Sequence, residues 1–135
     1  YAIAVWPRLI RHAATLKKMG INTIAVNPNI HPDYPADGVA AMQEKIREWG
    51  INFPYLADET QDVAKAFDAQ CTPDLYLFRA DGRLQYHGRI DDYWKDESQV
   101  TREELIPAAE LLVADENGPQ PQHPTIGCSI KWKDS

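Results

Sequence analysis

The chain has 135 residues and a formal net charge of −6, a length that suits one domain with room for a real core. An acidic balance without a basic stripe excludes a nucleic-acid backbone as partner. No apolar run is long enough to span a bilayer, and two cysteines are too few for a disulfide-built scaffold. No signal peptide is visible; the chain begins at Tyr1, already inside a helical pattern, and reads as one whose start is missing.

Residues 1–19 carry Ile3, Val5, Leu9, Ile10, Ala13, Leu16 and Met19, mostly three or four apart, a helical stripe that Gly20 should stop. Pro7 lies inside it and is expected to kink the helix. Arg8, Arg11, Lys17 and Lys18 read as that helix's solvated face. Residues 21–27 form an apolar run suited to a strand buried on both faces. Pro28, Pro32 and Pro35 predict a loop over 28–37, closed by Asp37-Gly38. Val39, Met42, Ile46 and Trp49 mark a second amphipathic helix, ended by Gly50. Residues 51–56 are a strand candidate weakened by Pro54. Thr60 is placed to cap a third helix through Phe67, with Asp62 near its positive end.

From Leu75 the chain reads as a hairpin: an apolar run, an Asp81-Gly82 turn, then alternating Leu84, Tyr86 and Gly88. Pro73 has no ladder donor and belongs at a strand's start or at an exposed bend. The Thr72–Pro73 bond is one that can be cis. Residues 91–100 are a polar loop, after which Thr101-Arg102-Glu103-Glu104 is a capping box opening a helix to about Ala114. Pro107 falls deep in that helix, so either the helix kinks or its first turn is separate. Residues 115–124 are linker-like, and Thr125 to Lys133 should pack back on the domain. The order of elements is that of an α/β protein, divided into a domain over 1–114 and a C-terminal extension over 115–135.

Several stretches together carry a family likeness. Asp58 to Phe67, then Cys71-Thr72-Pro73, Gly88-Arg89-Ile90-Asp91-Asp92 and Gly127 to Trp132 resemble the peroxiredoxin-like, AhpC/TSA-type branch of the thioredoxin superfamily. The resemblance implies a thioredoxin-like α/β fold, a mixed central sheet flanked by helices. That fold places one more strand before the first helix, at the sheet's centre. Without it, neighbouring strands keep unpaired backbone groups, so either upstream residues or a partner chain should fill the gap. In the family the reactive cysteine stands in a Cys-Pro step at the first helix's N-terminus, where the helix end favours the thiolate. Tyr1 looks like the residue that follows this step. The second cysteine of a C-x-x-C motif would fall at Ala2, so a dithiol is not expected. A one-cysteine or tail-resolved cycle through sulfenic acid remains open.

The activity implied is that of a thiol-dependent oxidoreductase with an antioxidant role. Its expected partners are a peroxide or disulfide substrate, a thiol reductant and a second copy in a homodimer, in the cytoplasm. The alternative is a non-catalytic binding module that keeps the fold and the Thr-Pro bend. Thr72 and Pro73 are assigned to substrate or peroxide positioning, with the Thr72 backbone open to strand addition by an extended thiol substrate. Cys128 is either a resolving thiol or part of an ordinary docked tail. Cys71 is either a second thiol or a small buried hydrophobe, and a Cys71–Cys128 disulfide stays open. Arg89 either polarises peroxide or pairs with Asp91 or Asp92, and the salt bridge is preferred. Asp91, Asp92, Asp96 and Glu97 lack the spacing of a calcium loop and read as solvated. His12, His31, His87 and His123 are scattered, so no metal site and no cofactor are expected. Trp6, Trp49, Trp94 and Trp132 read as core or tail anchors.

Overall fold

In the computed structural model, which describes residues 2–30, 33 and 38–133, the first apolar stripe becomes α1, Ala2–Lys18. The helix runs without interruption through Pro7; the donor that proline lacks would have faced the carbonyl of Ile3, in the first turn. Its end is a Schellman motif: Gly20 sits at φ +84°, donating to the Lys17 carbonyl, while Ile21 reaches back to that of Leu16. α2, Val39–Trp49, stops the same way at Gly50. Tyr1 and most of the expected proline loop, including His31, Pro32, Pro35 and Asp37, lie outside the described residues.

β1, Ala25–Asn27, pairs in parallel with β2, Tyr55–Ala57, with Ala25 opposite Tyr55. Strand side chains alternate between faces. Tyr55 packs edge-on to Trp6, which also meets Trp49 and Phe53. The other face is bare. The expectation of a strand buried on both sides is therefore corrected: Ile24 is 64% exposed and Leu56 52% exposed, and no described strand joins this pair to the hairpin.

α3, Asp62–Ala66, is shorter than expected; Gln61, not Thr60, stands at its N-cap, and the Thr60 hydroxyl accepts the Asp62 amide at 3.4 Å. The next two amides are taken by the buried Asp58 carboxylate, which accepts from Val63 at 3.3 Å and Ala64 at 2.9 Å. A side chain several residues upstream reaches the helix because Gln61 turns the chain in the left-handed region, at φ +66°.

β3, Cys71–Thr72, leads through a cis Thr72–Pro73 bond into β4, Leu75–Phe78, which pairs antiparallel with β5, Leu84–Gly88. Leu77 and the fully buried Tyr86 turn to the core, where α1 supplies Val5 and Leu16 and α4, Leu105–Val113, supplies Leu105, Ala108 and Ala109. On the opposite side Tyr76 stacks on His87 with ring centroids 4.1 Å apart, beside Phe67 and Phe78.

Helix α4 begins three residues later than the capping box predicts, with Glu104 rather than Thr101 at its N-cap. Thr101 is drawn away by Asp92, which accepts its hydroxyl and, at 2.9 Å, its amide. The later start settles Pro107: it becomes the third helical residue, where an N–H has no partner within the helix in any case, so no kink is needed. A last strand, β6, Cys128–Ser129, pairs antiparallel with β3. No described helix is long and apolar enough to cross a membrane.

Candidate functional site

Three parts of the chain converge beside the Thr72–Pro73 bend. The first turns of α1 bring Val5 and Leu9, the bend and β4 bring Pro73 and Leu75, and the loop after β5 brings Arg89, Ile90 and Trp94; they line a largely apolar cleft of about 30 Å³. A space of that size holds one or two water-sized molecules. Thr125 and Ile126 of the C-terminal segment close its remaining side.

Arg89 reaches this cleft but takes neither partner expected of it. Its Nε donates to Glu104 Oε1 at 2.7 Å, because α4 starts at Leu105 and so brings the buried Glu104 beside β5. Asp91 belongs to Arg8 instead. The Arg8 guanidinium donates to Asp91 Oδ2 at 2.7 Å, to the Tyr93 carbonyl at 2.9 Å and to that of Trp94. With Arg8 3% and Asp91 4% exposed, the reading of Arg8 as part of a solvated face is corrected. Arg11, Lys17 and Lys18 are exposed, with Arg11 paired to Glu97. The solvated-loop reading of the acidic stretch is also corrected at Asp91. Asp92 serves a different segment, and its carboxyl is held down at about 2, first by the Thr101 hydroxyl and then by backbone amides.

Cys71 is half-buried, with its Sγ donating to the Thr125 carbonyl at 3.8 Å. The β3–β6 register sets Cys71 opposite Ser129 and Thr72 opposite Cys128. The bend is thus bordered by the chain's own tail. Gly127 has no room for a side chain, since a Cβ there would stand 2.2 Å from the Thr72 carbonyl oxygen. Upstream, Thr125 Oγ1 donates to the Gly88 carbonyl at 2.9 Å and the Arg89 amide donates to the His123 carbonyl at 3.0 Å.

A family model for AhpC/TSA matches residues 1–87, which take in α1, the Thr72–Pro73 bend and nearly all of the hairpin. This chain belongs to the AhpC/TSA family. Its thioredoxin-like α/β fold is shared with two solved structures. An uncharacterized conserved protein from Geobacillus kaustophilus is 41% identical, with a TM-score of 0.93 over 100% of this chain and 72% of its own. A hypothetical protein from Sinorhizobium meliloti 1021 is 30% identical, with a TM-score of 0.93 over 100% of this chain and 74% of its own. No curated protein matches the chain.

Two buried polar residues of this AhpC/TSA domain stand outside the cleft's lining, and sequence reasoning missed their roles. Gln61, 1% exposed, donates through Nε2 to the carbonyls of Pro28 (2.9 Å) and Lys131 (2.8 Å) and accepts the Lys133 amide at 3.0 Å. A glutamine before a short helix carries no signal of that duty. His12 lies one turn beyond Arg8 on α1, and that spacing of four was the signal available.

His12 is 6% exposed and its Nδ1 has no hydrogen-bond partner among the described residues. Its Nε2 lies 3.8 Å from Glu103 Oε1, in a cavity of about 200 Å³ shared with Arg8, Asp91 and Glu97. Burial pushes the His12 pKa below the ordinary 6.5, outweighing the pull of Glu103. The folded state therefore resists a proton that the unfolded chain accepts. Stability should be fully present above about pH 6.5, fall as pH drops from there to the lowered folded value, and level off below it. Urea unfolding between pH 7.5 and 5 should show that slope in the native protein and a flatter one in His12→Leu.

Proposed function

We propose that this domain is a thiol-dependent oxidoreductase of peroxiredoxin-like type, reducing a peroxide or disulfide through a cysteine thiolate at the N-terminal end of α1, ahead of Tyr1. The observation that carries the reading is the convergence of α1's first turns, Pro73 and Arg89 on one small cleft. A helix N-terminus favours the thiolate, an apolar wall limits its solvation, and the volume admits a peroxide-sized group. In the first step the thiolate sulfur attacks one peroxide oxygen; the O–O bond breaks, leaving a sulfenic acid and an alcohol or water. A second thiol then attacks that sulfur, forming a disulfide and releasing water, and an external thiol reductant restores both thiols. Cys128 is the residue proposed for the second thiol, since its main chain stands opposite Thr72 at the bend. Thr72 and Pro73 position the substrate. A cytoplasmic setting, where thiols are kept reduced, suits this cycle.

The test is peroxide consumption in the presence of dithiothreitol. It uses protein carrying its natural upstream residues, the variant with serine at the upstream cysteine, and Cys128→Ser. Turnover should vanish in the first variant. In the second, assayed with dithiothreitol left out, one equivalent of peroxide should be consumed, with the sulfenic acid accumulating and trappable by dimedone. Equal turnover in the native protein and the upstream variant would end the redox reading in favour of a binding module that keeps the fold.

A further inference from the structure

The position of β6 bears on which substrates can reach the bend. Antiparallel ladders alternate between residue pairs that exchange both main-chain hydrogen bonds and pairs that exchange none. The Ile130 amide donates to the Gln70 carbonyl at 3.4 Å, which marks that pair as a bonded one. Two residues along, in the same register, stand Thr72 and Cys128. The next bonded pair is therefore Thr72 with Cys128, and both main-chain groups of Thr72 are committed to the tail. These are the groups that an extended substrate would need for strand addition at Thr72.

We infer that β6 is a built-in occupant of the Thr72 edge, a strap that closes the bend to polypeptide substrates while it is seated. The inference rests on the functional reading above in one respect, that the Thr72 edge is where an extended thiol substrate would dock. The strap is held from both ends. Before it, His123 and Thr125 bond to Arg89 and Gly88. After it, Ile130 is buried against Ala64 and Ala69, the Lys131 amide donates to Asn29 Oδ1 at 3.0 Å, and Gln61 clasps Lys131 and Lys133. Gly127 is the residue that allows the close approach, because any side chain there meets the Thr72 carbonyl. A small peroxide can enter the cleft beside Pro73 without pairing to β3; an extended polypeptide disulfide cannot pair there until the strap leaves.

The probe is a fluorescent peptide of residues 124–133, which carries the strap's own sequence. Native protein should show no saturable binding of it by anisotropy, whereas Gly127→Val, which cannot seat its own strand, should bind it. In the native protein the Thr72 amide should exchange with deuterium at least about tenfold more slowly than an unprotected amide, roughly what one net main-chain hydrogen bond is worth. Saturable binding by native protein as tight as by the variant would overturn the inference, as would unprotected exchange at Thr72. Should Gly127→Val fail to fold, the exchange measurement on native protein decides alone. A lack of peroxide turnover alongside a protected Thr72 would count against the redox reading and leave the strap standing.

Discussion

Asp91→Ala is expected to destabilise the domain by about 3–5 kcal/mol, lowering the thermal midpoint by roughly 10–20 °C. The reason is what the substitution leaves behind rather than the contact it deletes. Arg8 and Asp91 are both almost fully buried, and desolvating two ions costs several kcal/mol that their attraction and hydrogen bonds roughly recover. Removing the carboxylate strands a guanidinium that cannot lose its proton. It also frees the Tyr93 amide, which now donates to Asp91 Oδ1 at 3.1 Å. The double variant Arg8→Met, Asp91→Leu should recover much of the loss, since it buries no unpaired charge. Full recovery is not expected, because the carbonyls of Tyr93 and Trp94 would lose their donor. Thermal unfolding of the two variants beside the native protein checks this. A double variant no more stable than Asp91→Ala would refute the account.

Gln61→Ala should cost about 2–4 kcal/mol, since three main-chain groups lose a partner in a buried setting. The loss should appear first in the tail. Amides of Ile130 and Lys133 should exchange faster before those of the hairpin change, because the Gln61 side chain ties Pro28, Lys131 and Lys133 together. Backbone strain can be separated from the side chain's bonds. Gln61 occupies the left-handed region, where glycine is at ease and alanine is not, so Gln61→Gly should be more stable than Gln61→Ala by up to about 1 kcal/mol. Urea unfolding with residue-resolved exchange reads both effects. Unchanged tail protection in either variant would show that Gln61 does not hold the strap.

The parts of the fold legible in the sequence are those whose causes lie within a few residues. Gly20 and Gly50 stop their helices, Asp81-Gly82 turns the hairpin, and Thr72-Pro73 marks the bend, each through local backbone preference. The expectations that changed were decided by distant partners. Thr60 and Thr101 are sound N-cap residues by local rules, yet Asp58 caps α3 and Asp92 occupies Thr101. Arg89 has acids two and three residues away and pairs with Glu104 instead. A list of neighbours in sequence cannot rank partners that the fold brings equally near.

By itself the sequence determined the order of helices and strands, the apolar stripes, the bend and the family, because periodicity and turn chemistry act over one or two turns of chain. Only the tertiary structure decided which charges are buried, which side chains meet the first amides of α3 and hold Thr101 away from α4, and that the tail lies along the Thr72 edge. Those outcomes follow from closures such as Arg8 to Asp91, 83 residues apart. For groups taken out of water, a compensating partner outweighs local preference.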